Sequence, residues 1–317
     1  MEKQVLQILR RGYQIFFPKK SKDFFTKKKP DLSKEKATAA IISLLKSEKP
    51  CMIGRFGKVE LDTIAWFKYS KIEIYHKFIV GKIDSLEFPE NYKYRLENNA
   101  GFFPATRENI AHFVQLYIAD SKKLDILGSW LDNEKVLKKE LVHCTTVHLE
   151  DLNAFSHPNP WTKALEGKKV LVIHPFVDSI HDQFKNREKL FSNPNVLPNF
   201  HLITYKPIES LAGNSKTCGF ASWFEALDKM KNDIKTIHFD IAILGCGAYG
   251  FPLAAYIKGL GKKSVHIGGA TQLLFGIIGK RWEEEYNLSN VINEYWKRPY
   301  ESEKPQNFTQ VENGCYW

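Results

Sequence analysis

The chain has 317 residues, 43% of them hydrophobic, with 46 Lys and Arg against 36 Asp and Glu for a net charge of +10. That is enough apolar material for a large core, as one big or two modest domains. The longest apolar runs, such as Val170 to Ile173 and Ile241 to Leu244, fall far short of the roughly 20 residues a spanning helix needs. The first residues interleave charges with apolar side chains, unlike a secretory signal, and the expected location is the cytoplasm. Cys51, Cys144, Cys218, Cys246 and Cys315 are scattered, without a C-x-x-C pair, which argues against a disulfide framework and against a zinc site.

Residues 1–33 read as a basic amphipathic arm. Residues 1 to 30 hold nine Lys and Arg against Glu2 and Asp23, a balance of +7, and Tyr13, Ile15, Phe16, Phe17, Phe24 and Phe25 stand among them. An apolar face with a basic rim suits an anionic membrane surface; a solvated arm is the plainer reading. No nucleic-acid-binding signature accompanies the charge, so no nucleic acid partner is expected.

Residues 34–317 read as the folded domain. Apolar spacing predicts a helix over 34–46, a strand at Cys51 to Ile53 and a helix from Lys58. Residues 70 to 104 read as aromatic and irregular. A helix over 107–119, a strand over 124–128, a helix over 133–141 and a strand over 145–149 follow. The proline-rich Phe155 to Trp161 marks a possible meeting of two halves near 155–168. Beyond it come strand 169–174, helix 179–191, strand 202–205 and helix 221–231. The closing aromatic residues Tyr316 and Trp317 suggest a docked tail. Strands alternating with helices predict an α/β fold, a Rossmann-like parallel sheet with helices on both faces, whose ligands gather at the carboxyl ends of the strands.

Asp240 to Gly261 runs an apolar strand into Gly245-Cys-Gly-Ala-Tyr249-Gly250 and then a helix. Gly245 and Gly247 can take positive φ, and Gly250 opens a helix whose free amides and dipole favour an anion. The spelling G-x-G-x-x-G suggests a dinucleotide. The acidic residue expected about 20 positions later is missing, since the next strand reads Ser264-Val-His-Ile-Gly-Gly269. A diphosphate cradle or a purely structural turn remains.

A second strand, glycine turn and helix holds Arg55, Gly57 and Glu60. The arginine fork matches phosphate oxygens, and Glu60 suits a metal, a sugar hydroxyl or an acceptor proton, or simply complements the helix dipole. His174 ends a strand where it can donate to phosphate or act as base, and His266 stands similarly before Gly268 and Gly269. Arg281 beside Trp282 offers a cation and an aromatic platform. The chain has no P-loop, H-E-x-x-H, G-x-S-x-G or kinase signature.

Ile53-Gly-Arg-Phe-Gly-Lys-Val-Glu60 resembles the R-[YF]-G-D-G-E turn of bacterial glycosyltransferases with the GT-D fold. The blocks 169–175, 244–255, 266–282 and 311–317 look like proteins encoded in capsule and lipopolysaccharide clusters. The resemblance implies a Rossmann-like domain that binds a UDP-sugar with a divalent metal, Mn or Mg, through a D-x-E motif. Lys58 replaces the first carboxylate here, leaving Glu60 alone and Asp62 displaced, which puts the metal in doubt; a lysine can neutralise phosphate instead. The expected activity is sugar transfer from a nucleotide-sugar to a lipid-linked or polymeric glycan acceptor in surface polysaccharide synthesis. Arg55, Gly57, Lys58, Gly245, Gly247, Tyr249, Gly250, His266, Gly268, Gly269 and Arg281 are expected to hold the donor, with Glu60 and His174 at the chemistry. The alternatives are a non-catalytic sugar-nucleotide or polymer binder and an NAD-dependent oxidoreductase.

Overall fold

The computed structural model describes residues 2–17, 29–284 and 288–317. Part of the basic arm, residues 18–28, therefore lies outside the described residues. The first helix is α1 (Glu2–Phe16), followed by α2 (Glu35–Lys46), β1 (Cys51–Gly54), α3 (Lys58–Lys68), α4 (Lys71–Ile79), α5 (Glu90–Asn98), α6 (Arg107–Ser121), β2 (Ile126–Ser129) and β3 (Thr145–His148). Then come β4 (Lys169–Ile173), α7 (Val177–Lys185), α8 (Arg187–Leu190), β5 (His201–Tyr205), α9 (Trp223–Thr236), β6 (Ile241–Leu244), α10 (Gly250–Gly259), β7 (Lys263–His266), α11 (Ala270–Leu274) and α12 (Lys280–Glu284).

Among the described residues all strand pairings are parallel, and seven strands lie in the order β3-β2-β1-β7-β6-β4-β5. The sheet joins strands from both sides of residues 155–168. Successive side chains leave opposite faces, so Cys51, Ile53, Val170, Val172, Ile241 and Ile243 enter one core, and Met52, Leu171, Ile173, Ala242 and Leu244 enter the other. The first core is covered by α2, α7, α11 and the tail, and the second by α3, α6, α9 and α10. A parallel sheet buried on both faces with helices on each is the Rossmann-like α/β arrangement expected from the alternation.

Several local expectations need correction. Residues 70–104 are not irregular: they contain α4 and α5. The start of α4 is a capping box in which the Ser70 hydroxyl accepts from the Glu73 amide (3.2 Å) and the Glu73 carboxylate accepts from the Ser70 amide (2.8 Å). The expected helix over 133–141 is a tight turn over Asp132–Leu137. Helix 179–191 is two helices separated at Asn186. The helix expected at 221 begins at Trp223, after Ser222 caps the Glu225 amide (3.2 Å). The five cysteines are free thiols.

The stretch 155–168 belongs to the core, because Trp161 is fully buried against α2 and its indole donates to the Leu152 carbonyl (2.8 Å). Trp161→Ala is therefore expected to cost about 3–5 kcal/mol in urea unfolding; a loss below about 1 kcal/mol would show that this connection bears no core load.

Candidate functional site

The sheet register sets up the site. Gly54 pairs with His266, His266 with Leu244, and Leu244 with Ile173, so four strands end on one row. The residues just beyond the strand ends are Arg55, Trp130, Leu149, His174, Pro207, Gly245 and Gly268, one from each of the seven strands. All of them line a single cavity of roughly 420 Å³. That size suits a small ligand, and the position is where doubly wound sheets bind theirs.

At the β1 to α3 turn, Gly57 is the residue preceding the helix and Glu60 lies in its first turn. The Glu60 carboxylate folds back over Gly57: a Cβ at Gly57 would stand 1.9 Å from its Oε2. A side chain at Gly57 would displace the carboxylate from this position. Burial pushes the Glu60 carboxyl above its usual value, opposed by its own backbone amide and by Arg55. The Arg55 guanidinium lies over the Trp130 ring, 4.8 Å from its centroid. That ring is fixed in turn, since its indole donates to the Phe56 carbonyl (3.1 Å) and Glu134 accepts from the amides of Trp130 (3.0 Å) and Leu131 (3.1 Å). Glu134 thus holds the platform on which Arg55 rests.

Lys58 lines the cavity but its ammonium is paired with Asp62 (2.8 Å), whose other oxygen accepts from the Asn133 amide group (2.7 Å). Asp62 is therefore occupied. Among the described residues, no group of three or more His, Cys, Asp or Glu side chains is placed to hold a metal ion. The residues at the turn, one carboxylate beside Arg55 and Lys58, do not fit the divalent ion that the D-x-E resemblance implies.

His174 and His266 both line the cavity and are both buried. The His174 Nδ1 accepts from the Phe176 amide (3.1 Å), so in the neutral ring the proton sits on Nε2. His266 has the opposite tautomer, because its Nδ1 faces the Leu244 carbonyl (3.2 Å) and must donate, leaving a lone pair on Nε2. Burial pushes both down to about 3, and Arg55 adds to the effect at His266. One ring presents a donor and the other an acceptor, without net charge.

The Gly245 to Gly250 turn differs from a set of free helix amides. The Gly245 amide donates to the Ile173 carbonyl (2.9 Å), that of Ala248 to Ala100 (3.3 Å), and that of Gly250 to the Gly247 carbonyl. Gly250 does not line the cavity; it makes room for His266, whose Cε1 would lie 2.4 Å from a Cβ there. The anion-binding role expected of Gly250 is thus replaced by packing. What the turn offers the cavity are the amides of Cys246 and Gly247, which make no such bond among the described residues. Gly247 is left-handed, with φ +57°.

Tyr249 stacks on Trp223 (5.0 Å between centroids) and shares a hydrogen bond with Ser210 (3.0 Å), which makes it a wall rather than a ready ligand contact. Gly268 lies beside the Arg55 guanidinium, and Gly269 is pressed against Tyr316 and Trp282. Arg281 is engaged by the tail, donating to Tyr316 (3.2 Å) and pairing with Glu312. The tail is docked: Trp317 is buried and its carbonyl accepts from Arg298 (2.5 Å). The sequence reading did not include Arg95 of α5 or Asn99, the residue that ends that helix, both of which line the same cavity. Arg95 has no ion-pair partner among the described residues. The capping box at Ser70 signals only α4; α5 begins after Pro89 without a side-chain cap, so no local signal of that kind marks the helix that presents Arg95.

Comparison with protein-family models, with curated proteins and with solved structures finds no match for this chain.

The buried histidines have a measurable consequence. An unfolded histidine titrates near 6.5, whereas these are held near 3, so the unfolded chain binds more protons between those values. Their contribution is intact above pH 6.5 and is lost as the pH falls toward 3. Each adds up to about 1.4 kcal/mol per pH unit to the slope of stability against pH. His174→Gln is expected to flatten the slope of urea-unfolding free energy in that window by about one such increment; an unchanged slope would mean that the ring is not held neutral.

Proposed function

We propose that the chain is a glycosyltransferase that moves a sugar from a nucleoside diphosphate sugar, with UDP the expected nucleotide, to a lipid-linked or polymeric glycan acceptor. The observation that carries the reading is the convergence on one cavity of Arg55 on its Trp130 platform, the open amides of Cys246 and Gly247, and the neutral donor His174. A diphosphate leaving group needs such donors and positive charge where its negative charge develops. The resemblance of residues 53–60 to a glycosyltransferase turn points the same way.

In this reading the acceptor oxygen bonds to the anomeric carbon as the bond from that carbon to the diphosphate oxygen breaks. The hydroxyl proton passes to the Glu60 carboxylate, and the electron pair of the broken bond stays on the nucleoside diphosphate beside Arg55. A carboxyl raised by burial is a better match to a hydroxyl proton than one in water. Lys58, already tied to Asp62, contributes background charge rather than a direct clamp.

Purified protein is expected to melt at higher temperature with UDP-sugars, and the shift should grow with ligand concentration. Arg55→Ala should weaken binding by about 10- to 100-fold, the size of a lost charge-assisted hydrogen bond. Glu60→Gln should bind the donor as well as wild type yet lose the slow release of free UDP from it. If UDP-, GDP- and CMP-sugars all leave the melting temperature unmoved, the donor site is refuted.

A further inference from the structure

Helix α1 carries two faces. One is docked: Leu6 is buried, and Arg10 donates to the Ile83 carbonyl (2.8 Å), pairs with Asp84 (2.6 Å) and lies over the Phe78 ring of α4 (4.7 Å). The other face is apolar and open. Val5, Ile8, Leu9, Ile15 and Phe16 recur at helical spacing with Gly12 in their midst, and Ile8, Ile15 and Phe16 are 68%, 74% and 79% exposed. The start of α4, the helix on which α1 rests, exposes Ile72 to 79%. So many large apolar side chains on one open helix call for a partner, because scattered single ones would not.

The charge around the stripe says which partner. Arg11 is exposed at the edge of the stripe, and Lys3 is exposed in the first turn of α1. The sequence that leaves the helix, residues 18–28, lies outside the described residues and adds five lysines against Asp23. A second copy of this face would bring cations against cations. Anionic lipid headgroups would neutralise them while the acyl boundary received the apolar side chains.

We infer that α1, braced on α4 through Leu6 and Arg10, is an in-plane docking helix for an anionic lipid surface, with Val5, Ile8, Leu9, Ile15 and Phe16 entering the headgroup boundary. No described helix is long and apolar enough to cross a membrane, so the attachment is to one face. The inference does not depend on the sugar-transfer reading.

Flotation of the full chain with phosphatidylglycerol–phosphatidylcholine vesicles, against phosphatidylcholine alone, tests it. The protein is expected to float with the anionic vesicles, at least about tenfold more than with neutral ones, and to be released by raised salt. Ile8→Glu with Phe16→Glu should abolish flotation at an unchanged melting temperature, since neither side chain is buried. Arg11→Glu, which leaves the stripe intact, should weaken it severalfold. The inference is overturned if the protein fails to float, if flotation ignores vesicle charge, or if the double variant floats as wild type does. It is equally overturned if light scattering finds a dimer that the double variant dissociates, because the stripe would then be covered by a second copy.

Discussion

The level ending of the parallel strands is the constraint on which everything else rests. Because Gly54, His266, Leu244 and Ile173 are hydrogen-bonded neighbours in one row, the next residue of each chain segment leaves the sheet at the same edge. Parallel pairing with crossover helices forces this repetition: each strand returns to the same starting edge before crossing again. Arg55, His174 and Gly245, remote in sequence, meet for that reason alone. A slip of one residue in any of these strands would turn its side chains to the opposite face and withdraw its contribution from the cavity.

The electrostatics of the cavity follow from burial. Histidines removed from water stay neutral, and the Arg55 charge nearby reinforces this at His266. A guanidinium, by contrast, stays charged at any working pH, and the Trp130 face offers that of Arg55 partial compensation. The cavity therefore sets cationic side chains, Arg55 on its platform with Lys58, Arg95 and Arg281 also on the lining, beside neutral rings of fixed tautomer. Such a site favours an anion without depending on protonation near neutral pH.

Close packing explains why small residues surround these groups. A Cβ on Gly245 would lie 2.6 Å from the Gly268 carbonyl and 2.8 Å from the His174 ring, and one on Gly57 would collide with Glu60. These glycines admit protein side chains rather than ligand. Gly247 differs, since its would-be Cβ meets nothing closer than 3.4 Å and its need for glycine is in its left-handed backbone.

The sequence by itself determined the fold class, because alternating apolar strands and amphipathic helices leave a parallel, doubly covered sheet as the consistent arrangement. It also marked Arg55, Glu60, His174, Gly247 and His266, since glycine turns and polar residues at strand ends are local signals. The capping box at Ser70 was legible too, yet the aromatic content of residues 70–104 masked α4, the helix it begins. Tertiary structure alone decided the rest. Whether Gly250 faces a ligand or a histidine, whether Lys58 is available or held by Asp62, and which tautomer each imidazole adopts depend on contacts between segments far apart in the chain. Arg95 enters the cavity by the same route, and no spacing within α5 announces it. Local periodicity reports which way a side chain leaves its own element; what it meets there is set by how the elements pack.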